Sequence, residues 1–140
     1  MSVGPQQSLT AYQTSAQALI PKERVPAVAL SGVVMHVGRA DRAIAANDIL
    51  GAHHALITAQ QIVGLLRCGL DHQAGGQISA RLDALYAYLG FELGRANIEK
   101  SRERLARLLR VLSPLVEAWE GAATAVLRGR DSAMAGGRAG

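Results

Sequence analysis

Apolar residues recur three and four positions apart in four stretches of this chain, and short polar breaks separate them. That spacing is the signature of amphipathic helices. The first stretch runs from about Pro26 to Ala46, with Val33, Val37, Ala40 and Ile44 in register and Asn47-Asp48 as its end. Pro26 suits a first helical turn, where its missing N–H has no helical partner to lose.

The second stretch opens behind Asp48, whose carboxylate can accept orphan backbone N–H groups, and continues to about Leu70. Its seam is Ala52, Leu56, Ala59, Val63, Leu66 and Leu70. Asp71 to Gly76 reads as a turn, with Gly75-Gly76 supplying the backbone freedom of a reversal. From about Gln77 to Ala96 a third helix carries Ile78, Leu82, Leu85, Leu89, Leu93 and Ala96 in one arc. The fourth, Ile98 to about Leu127, repeats the pattern through Leu105, Leu108, Leu112, Leu115 and Trp119, and Pro114 should kink it. Four such helices with short loops predict an all-α, antiparallel up-down four-helix bundle over residues 22–127.

The two ends read differently. Residues 1–21 contain no Asp, Glu, Lys or Arg, are rich in Gln, Ser and Thr, and predict a flexible, extended lead. Residues 128–140 are rich in Gly and Ala with too few large apolar groups to offset the entropy of ordering, and predict a disordered tail.

Composition narrows the picture. At 140 residues the chain fits one domain, and 49% apolar with only 4% aromatic residues means an aliphatic core. A single cysteine, Cys68, excludes an internal disulfide and a cysteine-based zinc site, and reads as a small core residue. The weakly charged stretch Val25 to Gly38 falls short of the roughly 20 apolar residues of a membrane helix, and no basic residue precedes an apolar run at the start. A cytoplasmic protein without membrane insertion is expected.

The third helix carries the candidate chemistry. Opposite its Leu arc stand Ala80, Ala84, Ala87, Phe91 and Gly94, so it is small or apolar on two sides. The second helix doubles in the same way through Ile57, Gln61 and Leu65. If the two helices are neighbours, these secondary stripes form a groove for an amphipathic helix of a partner, which Gly90 and Gly94 would let approach closely. The chain's own N-terminal lead or a second copy in a homodimer would cover the same stripe. Tyr88, on the flank, is a better contact candidate than Tyr86, and Trp119 reads as a core anchor.

Leu70-Asp71, Gly75-Gly76, Ile78, Leu82-Asp83, Leu85-Tyr86 and Tyr88, then Leu93, Ala96-Asn97 and Ala118-Trp119, occur in an order and spacing that resembles the flagellar secretion chaperone family, FliS. Tyr12 after Ala11 also resembles the family's N-terminal tyrosine. The resemblance implies a bundle that binds the disordered C-terminal segment of flagellin, prevents its premature polymerisation and delivers it to the export apparatus. An export-gate component and an anti-sigma factor are further partners it brings in. The resemblance adds Tyr12, and Leu9 by proximity, to the candidate flagellin-binding residues Ile57, Gln61, Leu65, Ala84, Ala87, Tyr88, Phe91 and Gly94. The chain departs from the family where Ala29-Leu30-Ser31-Gly32 replaces a Leu-Tyr-Asp-Gly run and where Gln77 replaces a Glu.

Other chemistries fit less well. His53-His54 and His72 lack the Glu-x-x-His pairs of a di-iron bundle, and no Ser or Cys is placed with a His and a third polar group, so no metal, cofactor or enzyme activity is expected. Arg102, Arg104, Arg107 and Arg110 alternate with Glu99 and Glu103, which favours a salt-bridged, solvated face over a nucleic-acid surface. The net charge of +4 leaves one alternative, a basic helical-bundle adaptor for nucleic acid or a regulatory protein.

Overall fold

The computed structural model describes residues 24–139, and among these the chain forms four helices. They are α1 (Val25–Ala45), α2 (Ile49–Cys68), α3 (His72–Glu99) and α4 (Arg102–Ala139). The all-α bundle expected from the periodicity is the fold.

Local chemistry sets the helix ends. Pro26 stands in the first turn of α1, and Asn47 reverses the chain with a φ of 60°. Asp48 caps α2, its Oδ1 accepting the Gly51 N–H at 2.9 Å. Asp71 caps α3 by accepting from the N–H groups of Gln73 at 3.1 Å and Ala74 at 3.0 Å. Gly76 then breaks the helix with φ 52° and ψ −124°, a conformation that costs glycine little because it has no Cβ.

The helix behind the break begins beyond the end of α2, whose penultimate residue, Arg67, pairs with Asp83. Ile78, expected in the core arc, is 68% exposed, and the buried side of α3 is Ser79, Tyr86, Leu89, Leu93, Ala96 and Asn97. The turn to α4 also lies later than the pattern suggests, at Lys100 and Ser101. Lys100 adopts a φ of 50°, and its ammonium donates to Asn97 Oδ1 at 2.7 Å.

Ion pairs mark the antiparallel order. Along α1 and α4, Arg24 pairs with Glu120 at 3.0 Å at one end, and Arg102 pairs with Asp41 at 2.8 Å at the other. Along α2 and α3, His53 meets Asn97, Gln60 meets Gly90 and Arg67 meets Asp83, residue numbers falling on one helix as they rise on the other. α1 packs on α2 and α4, α2 packs on α3, and α3 meets α4 over a smaller contact. Leu30, Val33, Val37, Leu56, Val63, Leu89, Leu93, Leu105 and Leu112 fill the shared interior, with Trp119 packed against it.

Three expectations change. Cys68 is exposed, at the last residue of α2, because the seam of that helix turns away from it. The stretch from Arg128 on continues α4 as helix, with every side chain described up to Gly136 exposed. α2, and not the Val25 to Gly38 stretch, is the helix long and apolar enough by length and composition to cross a membrane. Here its inner side, Ala52, Leu56, Ala59 and Val63, is fully or almost fully buried and belongs to the bundle's core.

Candidate partner-binding face

α2 and α3 share one outward surface. At about 100° per residue, Ile57 and Gln61 lie on the side of α2 away from its buried residues, with Leu65 further round. Ala80, Ala84, Ala87, Phe91 and Ile98 occupy the corresponding side of α3. The contacts between His53 and Asn97, Gln60 and Gly90, and Arg67 and Asp83 run along the seam that joins the two surfaces.

Ile57, Gln61 and Leu65 are half-buried, as are Ala87 and Gly94, whereas Ala84, Tyr88 and Phe91 are exposed. Phe91 stands out at 63% exposure, an aromatic ring left in water on a helix that carries its own core on the other side. Arg95, paired with Glu99 at 3.4 Å, holds its guanidinium 5.9 Å from the centre of the Phe91 ring. Leu9 and Tyr12 lie outside the described residues.

Two details refine the sequence reading. Gly90 and Gly94 do permit a close approach, but the partner there is α2 itself. Gln60 Nε2 donates to the Gly90 carbonyl at 3.3 Å, and a Cβ built on Gly94 would sit 3.0 Å from that same nitrogen. Tyr88 is turned about 60° from Phe91 around α3, toward the side where Arg104 of α4 pairs with Glu92 at 2.8 Å and Glu99 at 3.0 Å.

The structure also adds residues. Leu50 and Ile98, 65% and 82% exposed, extend the surface beyond Ile57 and Phe91 toward the Lys100 end. The signal was available, since each stands seven positions from the neighbour it extends and so on the same helical line. Between Ile49 and Leu66 the helix carries no Asp, Glu, Lys or Arg, so the α2 half of this surface is uncharged.

No three His, Cys, Asp or Glu side chains come together as a metal site among the described residues. Two of the four arginines singled out on α4 are engaged across helices, Arg102 with Asp41 and Arg104 with Glu92 and Glu99. What the arrangement offers is an apolar surface on a rigid helix pair, suited to another apolar helix.

Comparison with known proteins decides the family, because the profile of the flagellar protein FliS matches residues 5–126. The chain belongs to the FliS family. It is also similar to the flagellar secretion chaperone FliS of Salmonella typhimurium strain LT2, 32% identical over 74 residues. That match spans 52% of this chain and 55% of the Salmonella protein's length. The FliS profile runs from the N-terminal region through all of α1, α2 and α3 and into α4 as far as Val126, so the surface on α2 and α3 lies inside it.

Proposed function

We propose that this FliS-family protein is a cytoplasmic flagellar secretion chaperone, and that the outer surface of α2 and α3 holds the C-terminal segment of an unassembled flagellin. The observation that carries the reading is Phe91, exposed among small residues on one side of a helix whose opposite side is core. Burying such a ring contributes about 1.5–3 kcal/mol, and Leu50, Ile57, Leu65 and Ile98 extend the apolar track along both helices. An unfolded segment that forms amphipathic helix on this track hides its own apolar residues, which is what keeps it from polymerising early.

In this reading Ile57, Gln61, Leu65, Ala84, Ala87, Phe91 and Gly94 line the track, Tyr88 touches the segment at its edge, and Leu9 and Tyr12 contribute from the N-terminal region. Delivery to the export apparatus follows from holding the segment reversibly. The protein needs no catalytic group for this.

The test is isothermal titration of the purified chain with the C-terminal segment of its own organism's flagellin at low and at high salt. Binding through apolar burial coupled to folding predicts an affinity that salt changes little and a large negative heat-capacity change. Affinity that falls steeply with salt would instead point to a charged partner.

A further inference from the structure

A second surface lies between α1 and α2, on the flank of α2 opposite α3, where it adjoins the Gln61 and Leu65 edge of the α2–α3 track. There an open cavity of about 470 Å³ is lined by His36, Arg39, Arg42 and Ala43 of α1, by Asp48, and by Gly51, His54, Ala55 and Thr58 of α2. Its polar content is unbalanced. Neither Arg39 nor Arg42 has an ion pair among the described residues, and unlike Arg107 and Arg110, which also have none, they line a cavity together. The one acid in the lining, Asp48, already accepts the Gly51 N–H as the cap of α2.

His36 reports the same imbalance. Its Nδ1 is buried without a hydrogen-bond partner among the described residues. Burial, and then the positive charge of Arg39, hold its pKa below the ordinary histidine range. His54 faces it from α2, and the Thr58 hydroxyl is turned back onto the His54 carbonyl at 3.0 Å.

We propose that this cavity is a second docking site, and that it takes an acidic peptide segment of a protein partner, whose carboxylates pair with Arg39 and Arg42. A guanidinium fork donates two parallel hydrogen bonds to a carboxylate, and two such forks three residues apart on one helix match a pair of neighbouring acidic side chains. Ala43, Gly51 and Ala55 leave room for the peptide's backbone to come close. A nucleic acid is disfavoured because its phosphates need a long basic stripe, and Asp41, the residue before Arg42, interrupts it as the partner of Arg102.

The experiment is an NMR titration of the full chain with a tetraglutamate peptide, with inorganic phosphate and with a short DNA duplex as parallel arms. The expected result is saturable movement of the Gly51, His54 and Thr58 amide signals with the peptide. Its affinity should fall about tenfold in Arg39→Gln/Arg42→Gln and hold in the control Arg107→Gln/Arg110→Gln. Both pairs replace exposed side chains, and circular dichroism checks that each variant keeps its helices. Equal loss in both variants, no saturation, or tighter binding of phosphate or of the duplex than of the peptide would overturn the assignment.

Discussion

The seam between α1 and α4 and the outer face of α2 and α3 solve the same problem in opposite ways. Where α1 meets α4, the outer edge is closed by charge, Arg24 on Glu120 and Arg102 on Asp41, and the apolar residues lie beneath it. Where α2 meets α3, a single pair, Arg67 with Asp83, closes one end, and the surface beyond it is mostly alanine, glycine, isoleucine, leucine and phenylalanine, with Gln61 and the Arg95 that lies over Phe91. A bundle needs only one apolar side per helix. The residues α2 and α3 carry in excess of that need are therefore the ones available to a partner.

If that division is right, stability and binding should separate by residue. The largest effect on stability belongs to the inner side. Leu93→Ala, at a fully buried position, should cost about 2–5 kcal/mol in denaturant unfolding. Phe91, two residues earlier, should show the reverse. Phe91→Asp leaves the unfolding midpoint nearly unchanged, within about 0.5 kcal/mol, and weakens the flagellin segment in calorimetry by about tenfold or more.

Smaller effects sharpen the comparison. Asn97 is buried at the α2–α3 seam, where its Nδ2 meets His53 Nδ1 at 3.0 Å and its Oδ1 accepts from Lys100. Asn97→Ala should cost about 0.5–1.5 kcal/mol in thermal or chemical unfolding, because His53 loses its partner and Lys100 keeps only the Asn97 carbonyl. Asp48→Ala removes the cap of α2 and should cost about 1 kcal/mol by the same measurement.

The smallest effect is on the α1–α4 seam. The hydrogen bond from Arg102 holds the Asp41 carboxyl below the usual carboxylate range. A folded-state pKa below the unfolded one stabilises above the unfolded value, and the gain is lost as pH falls through the folded value. Asp41→Asn should therefore flatten the acid side of the stability profile slightly, as an exposed pair does, while leaving flagellin binding alone.

Much of the fold could be read from the chain because its determinants are local. Asp48 and Pro26 act within one turn of themselves, and the glycine pair before Gln77 marks the break that Gly76 makes, although His72 to Gly75, read as part of a turn, are helical behind the Asp71 cap. Ile78 could not be placed, because its exposure depends on where α2 ends against α3. The role of Gly90 and Gly94 was half legible. Their small size announces a close approach, but only the packed pair shows that Gln60 occupies it. Leu50 and Ile98 were legible as seven-residue extensions of the Ile57 and Phe91 lines, whereas the meeting of Arg39 and Arg42 with His54 across α1 and α2 is a tertiary fact.

A partner helix held on the outer side of α2 and α3 would change the surroundings of the methyl groups there. Methyl NMR of the full chain with and without the flagellin C-terminal segment reads that change directly. The account predicts that the methyl signals of Leu50, Ile57, Leu65, Ala87 and Ile98 move together and saturate, while those of Leu109 and Val111 on α4 stay in place. Saturable movement at Leu109 and Val111, with the α2–α3 methyls unchanged, would contradict it.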